Sequence, residues 1–130
     1  MKTDEELLEL AKEAANKAYA PYSKFKVGAC ALYSSGNYYL GCNVENASYG
    51  LALCAERNAI SNAIAAGECS DLIKIAIYSP NTKFCSPCGA CRQWVYEFEK
   101  GQHTKIILED EDSKTVSYCI NELLPHNFKL

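Results

Sequence analysis

The sequence lacks any apolar run that approaches the roughly 20 residues needed to span a bilayer. Its first ten residues, MKTDEELLEL, also lack the apolar centre of a secretory signal peptide. These two absences predict a cytoplasmic protein with no membrane partner. No linker, internal repeat or low-complexity segment divides the 130 residues, so we expect one domain, residues 1–130, around a single core.

Positive charge is scarce as well. The formal net charge is −3, and the densest charged run, EDED at 109–112, is acidic and typical of a solvated loop. A chain without a basic face offers no track for phosphates, so nucleic acid and anionic membranes are not expected partners. With 48% hydrophobic and 22% charged residues, the chain has the composition of a globular domain rather than a disordered one.

Cysteine, by contrast, is abundant, with eight residues. In a reducing cytoplasm such cysteines serve metal binding, catalysis or simple burial rather than disulfides. Half of them fall on predicted strands or at a loop edge, where we expect them to act as small apolar side chains. These four are Cys30, Cys42, Cys69 and Cys119.

Hydrophobic periodicity predicts the order α-β-β-α-β-α-β-β. The first helix covers 3–20, begins with a Thr3/Glu6 capping box and is ended by Pro21. A hairpin follows, with strands at 26–33 and 38–45. The later elements are a helix at 54–66, a strand at 72–79, a helix from Pro87 to Gly101, strands at 104–110 and 115–120, and a short helical turn from Asn121. This order predicts an α/β fold, a three-layer α/β/α sandwich with a mixed five-stranded sheet.

Three of the remaining cysteines have the arrangement of metal ligands. Cys88 and Cys91 are three residues apart at a predicted helix start, so they share a face, and Cys54 begins the preceding helix. Helix N-termini stabilise thiolates. Three thiolates suit Zn²⁺ and leave a fourth position open, which is typical of a catalytic site rather than a structural one.

Two other interpretations of these cysteines stay open. The Cys-x-x-Cys pair alone could be a thioredoxin-like redox pair, although that leaves Cys54 unexplained. Cys85 could be a fourth ligand, because its spacing to Cys88 is also three, and would then make the site structural.

Glu56 follows Cys54 by two residues. At a helix start it could flank the same cavity and carry a proton without binding the metal; otherwise it is an acidic residue favoured by the helix dipole. Zinc with three thiolates carries a net negative charge, so a cation beside the sulfurs would restore its acidity. Arg57 and Arg92 are the candidates for that position, because each shares a helical face with a ligand cysteine; either could instead face solvent.

Together these motifs resemble the small homotetrameric zinc-dependent cytidine deaminases. The resemblance extends in order over nearly the whole chain, through FKVGACAL, GCNVENASYG, LCAERNAI, SPCGACRQ and LLPHNF. It implies one zinc ion per subunit and the hydrolytic deamination of cytidine and deoxycytidine to uridine, deoxyuridine and ammonia in pyrimidine salvage. It also implies a homotetramer in which subunits share active sites.

The resemblance assigns roles to individual residues. Zinc would be held by Cys54, Cys88 and Cys91, and Glu56 would shuttle the proton. Arg57 matches the arginine that donates to the ligand thiolates. Substrate contacts would come from Phe25 on the pyrimidine, Asn43 and Glu45 on a ribose hydroxyl, Val44, Ala55, and Phe128 from a neighbouring subunit. Ala47 and Tyr49 are candidates for reaching a neighbour's site.

Several rival functions share parts of this pattern. Blasticidin S deaminase has the same Cys-Ala-Glu and Pro-Cys-Gly-x-Cys-Arg motifs, but NVENASYG and the C-terminal phenylalanine favour cytidine. Editing of a polynucleotide is disfavoured by the acidic charge balance. A zinc-stabilised binding module is an alternative of another class, and it would release no ammonia from cytidine.

Overall fold

The computed structural model describes residues 1–101 and 103–130. In these residues the chain forms four α-helices, five strands and one short 3-10 turn in the predicted order. Their bounds are α1 Asp4–Ala15, β1 Gly28–Tyr33, β2 Tyr38–Cys42, the 3-10 turn Tyr49–Leu51, α2 Ala55–Ala65, β3 Leu72–Tyr78, α3 Gly89–Glu97, β4 Lys105–Glu109, β5 Thr115–Cys119 and α4 Ile120–Leu123. No helix among the described residues is both long and apolar enough to cross a membrane.

The predicted capping box starts α1. The Oγ1 of Thr3 accepts a hydrogen bond from the Glu6 amide at 3.2 Å, and a carboxylate oxygen of Glu6 accepts from the Thr3 amide at 3.0 Å. The predicted end at residue 20 is wrong, because the helix stops at Ala15. Tyr19 instead donates its backbone N–H to the Asn43 carbonyl at 3.0 Å, so this stretch pairs with the segment after β2 rather than continuing the helix.

The five strands form one mixed sheet in the order β2-β1-β3-β4-β5. Only β3 and β4 are parallel neighbours, joined by the crossover through α3, and the other adjacent pairs are antiparallel. The mixed five-stranded sheet is therefore confirmed, with one parallel pair.

Helices cover both faces of the sheet, which confirms the three-layer α/β/α sandwich. On one face, Leu7 and Ala11 of α1 pack in a cluster that includes Cys30 and Leu32 of β1. The opposite face carries α2, α3 and α4, in a cluster that includes Ala29 and other inward residues of β1. Every residue of β1 is buried because it lies second in the sheet with a helix above and below it.

Helix α2 approaches the edge strand β2 with no side chain between them at Gly41. A Cβ built at Gly41 would lie 2.3 Å from the Ala59 amide nitrogen and 2.5 Å from the Ala55 carbonyl oxygen. The helix is also tied to the strand edge by Asn58 and Asn62, whose amides donate to the Cys42 and Leu40 carbonyls at 2.8 and 2.7 Å. Close packing and these two hydrogen bonds fix the position of α2 against β2. They therefore also fix the position of the residues at the N-terminus of α2.

Candidate metal centre and substrate cavity

Cysteines occupy the N-cap positions of three helices, with Cys119 at α4 and the other two at α2 and α3. Cys54 caps α2 and Cys88 caps α3, both with extended backbone angles, and neither side chain makes a capping hydrogen bond. The usual residues at this position are Ser, Thr, Asp or Asn, whose oxygen accepts from the first turn. Because neither sulfur caps its own helix, both can bind another partner. The predicted start of the third helix is corrected here: Pro87 precedes the cap, and the helix ends at Glu97 rather than near residue 101.

The two helix starts bring three sulfurs together. The Sγ atoms of Cys54, Cys88 and Cys91 all lie within 4.8 Å of one another, and those of Cys88 and Cys91 are 3.5 Å apart. A tetrahedral zinc site with Zn–S bonds of about 2.3 Å has sulfur–sulfur edges of about 3.8 Å. The cluster therefore fits a tetrahedral metal ion held by three thiolates.

Cys85 is not a member of this cluster among the described residues. Its side chain is half-buried beside Glu56, and burial, with the charge of that carboxylate, raises the pKa of the Cys85 thiol to about 11. Its Sγ is not one of the described ligand atoms that lie within 4.8 Å of one another. The structure thus favours three protein sulfurs over the four of a structural site.

The pKa values of the clustered cysteines depend on one another. A hydrogen bond with the Cys91 thiol, helped by Arg57, lowers the pKa of Cys54 to about 5, and the same bond raises the pKa of Cys91. Two of the clustered sulfurs thus compete for one proton. A divalent cation stabilises three neighbouring thiolates better than shared protons do. Metal binding displaces those protons from the thiols.

Arg57 is the cation beside the sulfurs. Its Nη2 lies 3.2 Å from the Sγ of Cys54, and that bond raises the pKa of Arg57. Its Nε is buried and has no hydrogen-bond partner among the described residues, so a second donor remains next to the cluster.

Arg92 occupies a different position from the one suggested by its spacing to Cys88. Its Nε donates to the Pro87 carbonyl at 2.8 Å, its Nη1 to the Leu123 carbonyl at 2.7 Å and its Nη2 to the Ser86 hydroxyl at 3.0 Å. All three nitrogens donate to oxygen acceptors, so the interpretation of Arg92 as a thiolate donor is corrected. It joins α4 to the loop that presents Cys88.

Glu56 is almost fully enclosed, with 4% of its surface exposed. Burial, followed by the nearby charge of Cys54, raises the pKa of its carboxyl group. A carboxyl group whose pKa moves towards neutrality is suited to accept and return a proton. It stands in the first turn of α2, two residues beyond Cys54.

A cavity of about 260 Å³ opens beside the sulfurs. It unites half of the residues that the sequence predicts for the site. Those lining it are Phe25, Asn43, Glu45, Cys54, Ala55, Glu56 and Cys88. Cys85, considered from the sequence only as a fourth ligand, also lines it. The lining residues that the sequence did not predict are Val27, Ala52, Leu53, Ile77 and Ser86. Ser86 directly precedes the Pro-Cys motif, which is a signal that could have found it.

Asn43 and Glu45 make several hydrogen bonds at the rim of this cavity. The Asn43 amide accepts from the Val27 N–H and donates to the Phe25 carbonyl, both at 2.8 Å. The Glu45 carboxylate accepts from the Ser23 hydroxyl and from the amides of Tyr22 and Ser23 at 3.0 and 3.2 Å. The bonds from Ser23 lower the pKa of Glu45, so its charged form is stabilised.

Four of the eight residues predicted to contact substrate or a neighbouring subunit's site lie outside this cavity. Val44 lines a separate groove that includes Lys17 and Asn62, and its backbone pairs with Tyr19 and Leu53. Ala47 and Tyr49 are exposed, the latter at 78%. Phe128 is 63% exposed, and its backbone carbonyl accepts a hydrogen bond from the side-chain amide of Gln93 at 3.0 Å.

Comparison with known proteins decides the family. Residues 1–108 match the profile described as the cytidine and deoxycytidylate deaminase zinc-binding region. The chain belongs to the cytidine and deoxycytidylate deaminase family. The region matched contains all three clustered cysteines, and zinc is therefore confirmed as the metal that the cluster is expected to hold.

Relatives within this family are similar over almost their whole length. A cytidine deaminase of Halalkalibacterium halodurans is 40% identical over 94% of this chain and 91% of its own. One of Sporosarcina psychrophila is 44% identical over 95% of this chain and 90% of its own. The crystal structure of cytidine deaminase from Burkholderia pseudomallei superposes with a TM-score of 0.88 at 42% identity, covering 98% of this chain and 100% of that one. The resemblance to cytidine deaminases identified from the motifs is confirmed by these matches.

Proposed function

We propose that this protein is a zinc-dependent cytidine deaminase that hydrolyses cytidine and deoxycytidine to uridine and deoxyuridine with release of ammonia. The single chain of residues 1–130 serves as one catalytic domain. The observation that carries the proposal is a cluster of three sulfurs, two of whose cysteines line one cavity together with the buried carboxyl group of Glu56. Membership of the family and the names of its similar relatives support the same activity.

Cys54, Cys88 and Cys91 are the proposed ligands of one zinc ion per subunit. When bound there, zinc supplies a Lewis acid that makes water a nucleophile near neutral pH. Arg57 donates to Cys54 and withdraws charge from the sulfur set. Without that withdrawal, three thiolates would leave the metal with a net negative charge and a weaker pull on water.

Glu56 is the proposed proton carrier. Its carboxylate accepts one proton from the attacking water and delivers it to ring nitrogen N3 of the base. It then accepts the second proton from the new hydroxyl group on C4 and delivers it to the amino group, which departs as ammonia and leaves a carbonyl at C4. Burial supports this role, because it removes the carboxyl group from bulk solvent and raises its pKa.

Asn43 and Glu45 leave room for one sugar hydroxyl. An amide has two N–H donors and two lone pairs, and Asn43 already uses one of each on Phe25 and Val27. A carboxylate accepts about four hydrogen bonds, and Glu45 already accepts three. One N–H and one lone pair remain on Asn43, and about one acceptor site remains on Glu45, which is enough to donate to and accept from a single hydroxyl group. Phe25, Val44 and Ala55 are the other proposed contacts of the nucleoside.

We also propose that the active enzyme is a homotetramer with shared active sites. The predicted contributors from a neighbour, Ala47, Tyr49 and Phe128, are exposed here and therefore available to another copy. An active monomer in sedimentation velocity at assay concentrations would contradict this assembly.

A role in cytoplasmic pyrimidine salvage completes the proposal. All eight cysteines of the chain are free. Free cysteines in this number are typical of a reducing compartment.

The deciding experiment is an ultraviolet assay of the purified protein against cytidine, deoxycytidine, cytosine and blasticidin S, with and without a zinc chelator. We expect cytidine and deoxycytidine to lose their amino group as ammonia, and the chelator to abolish turnover. Zinc-replete protein that releases no ammonia from any of the four would instead be a binding module. Turnover of blasticidin S but of none of the other three compounds would indicate a blasticidin S deaminase.

A further inference from the structure

The loop that brings Phe25 to the cavity is held by Ser23. The Ser23 hydroxyl donates to the Glu45 carboxylate and accepts from the Phe25 amide at 3.0 Å. One side chain thus joins the carboxylate proposed to bind the sugar to the backbone of the aromatic residue proposed to contact the base.

Lys24, which lies between these two residues, has an unusual backbone. Its φ is +62°, in the left-handed region that residues other than glycine rarely adopt. The Ser23–Phe25 bond closes across it from residue i to residue i+2, as serine hydroxyls do in tight turns. The bond therefore helps to hold a conformation that Lys24 would otherwise leave.

The other side of Phe25 is fixed by Asn43. Its amide donates to the Phe25 carbonyl and accepts from the Val27 N–H, both at 2.8 Å. The Phe25 backbone is therefore held on its N–H by Ser23 and on its carbonyl by Asn43. Phe25, Asn43 and Glu45 line the cavity beside the sulfurs, whereas Ser23 lines a neighbouring cavity of about 380 Å³ that shares Glu45 with it. Ser23 is therefore linked to the proposed nucleoside site through the Glu45 carboxylate and the Phe25 backbone.

We propose that Ser23 is a positioning residue for nucleoside binding, which sets the Phe25 ring and the Glu45 carboxylate at the rim of the cavity. The inference rests on the proposed function. Glu56 and the clustered cysteines lie in or at the start of α2 and α3, whereas the hydrogen bonds of Ser23 join it to Glu45 and Phe25. Loss of Ser23 should therefore weaken binding of the nucleoside and leave the chemical step unchanged.

The test compares Ser23→Ala with Ser23→Thr, which keeps a hydroxyl. Because a hydrogen bond to a charged group is involved, we expect Ser23→Ala to raise KM for cytidine about tenfold. We expect kcat to stay within about twofold, because Glu56 and the metal ligands are untouched. Ser23→Thr should return KM towards the wild-type value.

Ser70 provides a matched control. Its hydroxyl and amide both donate to the Glu68 carboxylate, at 2.6 and 3.2 Å, as those of Ser23 do to Glu45, but outside the cavity. We expect Ser70→Ala to leave both kcat and KM for cytidine unchanged. Thermal melting of each variant separates a general loss of stability from a change in KM.

The outcomes distinguish this inference from the function on which it rests. A wild-type enzyme that deaminates cytidine, together with Ser23→Ala at wild-type KM, would overturn the role of Ser23 alone. An equal rise in KM for Ser70→Ala, or a fall in kcat at constant KM for Ser23→Ala, would overturn it too. A zinc-replete wild-type protein without deaminase activity would overturn both proposals.

Discussion

The Nη2 of Arg57 lies 3.2 Å from the Sγ of Cys54, one helical turn away at the start of α2. The same helix therefore supplies a proposed metal ligand and the cation that offsets its charge. Close packing at Gly41 and the bonds from Asn58 and Asn62 fix this helix on the sheet edge, so the pair is set by the fold rather than by a mobile loop.

Arg57→Gln should lower kcat while the protein keeps its zinc. Removing the guanidinium leaves more negative charge on Cys54, which weakens the metal as a Lewis acid, and we expect a loss of about tenfold or more. Arg57→Lys keeps the positive charge but loses the planar guanidinium donors, so its kcat should lie between those of wild type and Arg57→Gln. Zinc content by atomic absorption and kcat for cytidine check the effect. Loss of zinc from Arg57→Gln would instead show that Arg57 is needed to retain the metal.

Cys88→Ala and Cys85→Ala should differ in metal content. Cys88 belongs to the sulfur cluster and Cys85 does not, although both lie on the same loop and line the same cavity. We expect zinc to be lost from Cys88→Ala and to stay at one per chain in Cys85→Ala, because three thiolates suffice for the catalytic geometry. Zinc loss from both variants would instead indicate a site with four sulfurs.

Glu56→Gln should keep zinc and a native fold but lose nearly all turnover. The amide retains the size of the carboxyl group and cannot carry the proton, and general acid–base catalysis typically contributes about 10²–10⁴-fold. Zinc content, circular dichroism and kcat for cytidine are the measurements. Glu9→Gln, at an exposed position of α1, is the control and should keep wild-type turnover. A Glu56→Gln enzyme with wild-type kcat would remove this residue from the mechanism.

Local signals in the sequence were sufficient for much of the fold and for the cluster. The Thr3/Glu6 capping box is present, and the cysteines of both motifs do start helices that meet. These features depend on neighbours along the chain, which periodicity and capping rules describe.

The errors concern contacts between distant segments. Helix α1 ends early because Tyr19 pairs with Asn43, and no local pattern near residue 19 indicates that partner. Arg92 shares a helical spacing with Cys88, yet its guanidinium is taken by Leu123 of α4, a contact between residues 31 positions apart in sequence. Helical spacing gives a face, whereas tertiary packing decides which acceptor lies on that face.

Gly41→Ala should destabilise the protein. The new Cβ would lie 2.3 Å from the Ala59 amide nitrogen, and since backbone atoms of α2 cannot rotate away, the helix must shift. Overpacking of this kind costs about 1–3 kcal/mol of unfolding free energy. Gly50→Ala is the control, because a Cβ there meets nothing within 4 Å. Urea unfolding followed by circular dichroism measures both, and equal stabilities would show that α2 tolerates the methyl group.

Glu68 should make the stability of the fold depend on pH in the acid range. Its carboxylate accepts from the Ser70 hydroxyl at 2.6 Å, the Tyr39 hydroxyl at 2.9 Å, the Ser35 hydroxyl at 3.0 Å and the Asn37 amide at 3.2 Å. The bonds from Ser70, and then those from Tyr39 and Asn37, lower the pKa of Glu68 from 4.5 to about 2.

A folded-state pKa below the unfolded value means that the folded state binds this proton less tightly. The contribution of Glu68 is therefore fully present above pH about 4.5 and is lost as the pH falls towards about 2. In urea unfolding at several pH values, the gap between wild type and Glu68→Gln should be largest above pH 4.5 and shrink below it. Release of zinc in acid affects both proteins alike, and exposed Glu111→Gln is the control. A gap that stays constant between those pH values would show that the charge of Glu68 does not stabilise the hairpin turn.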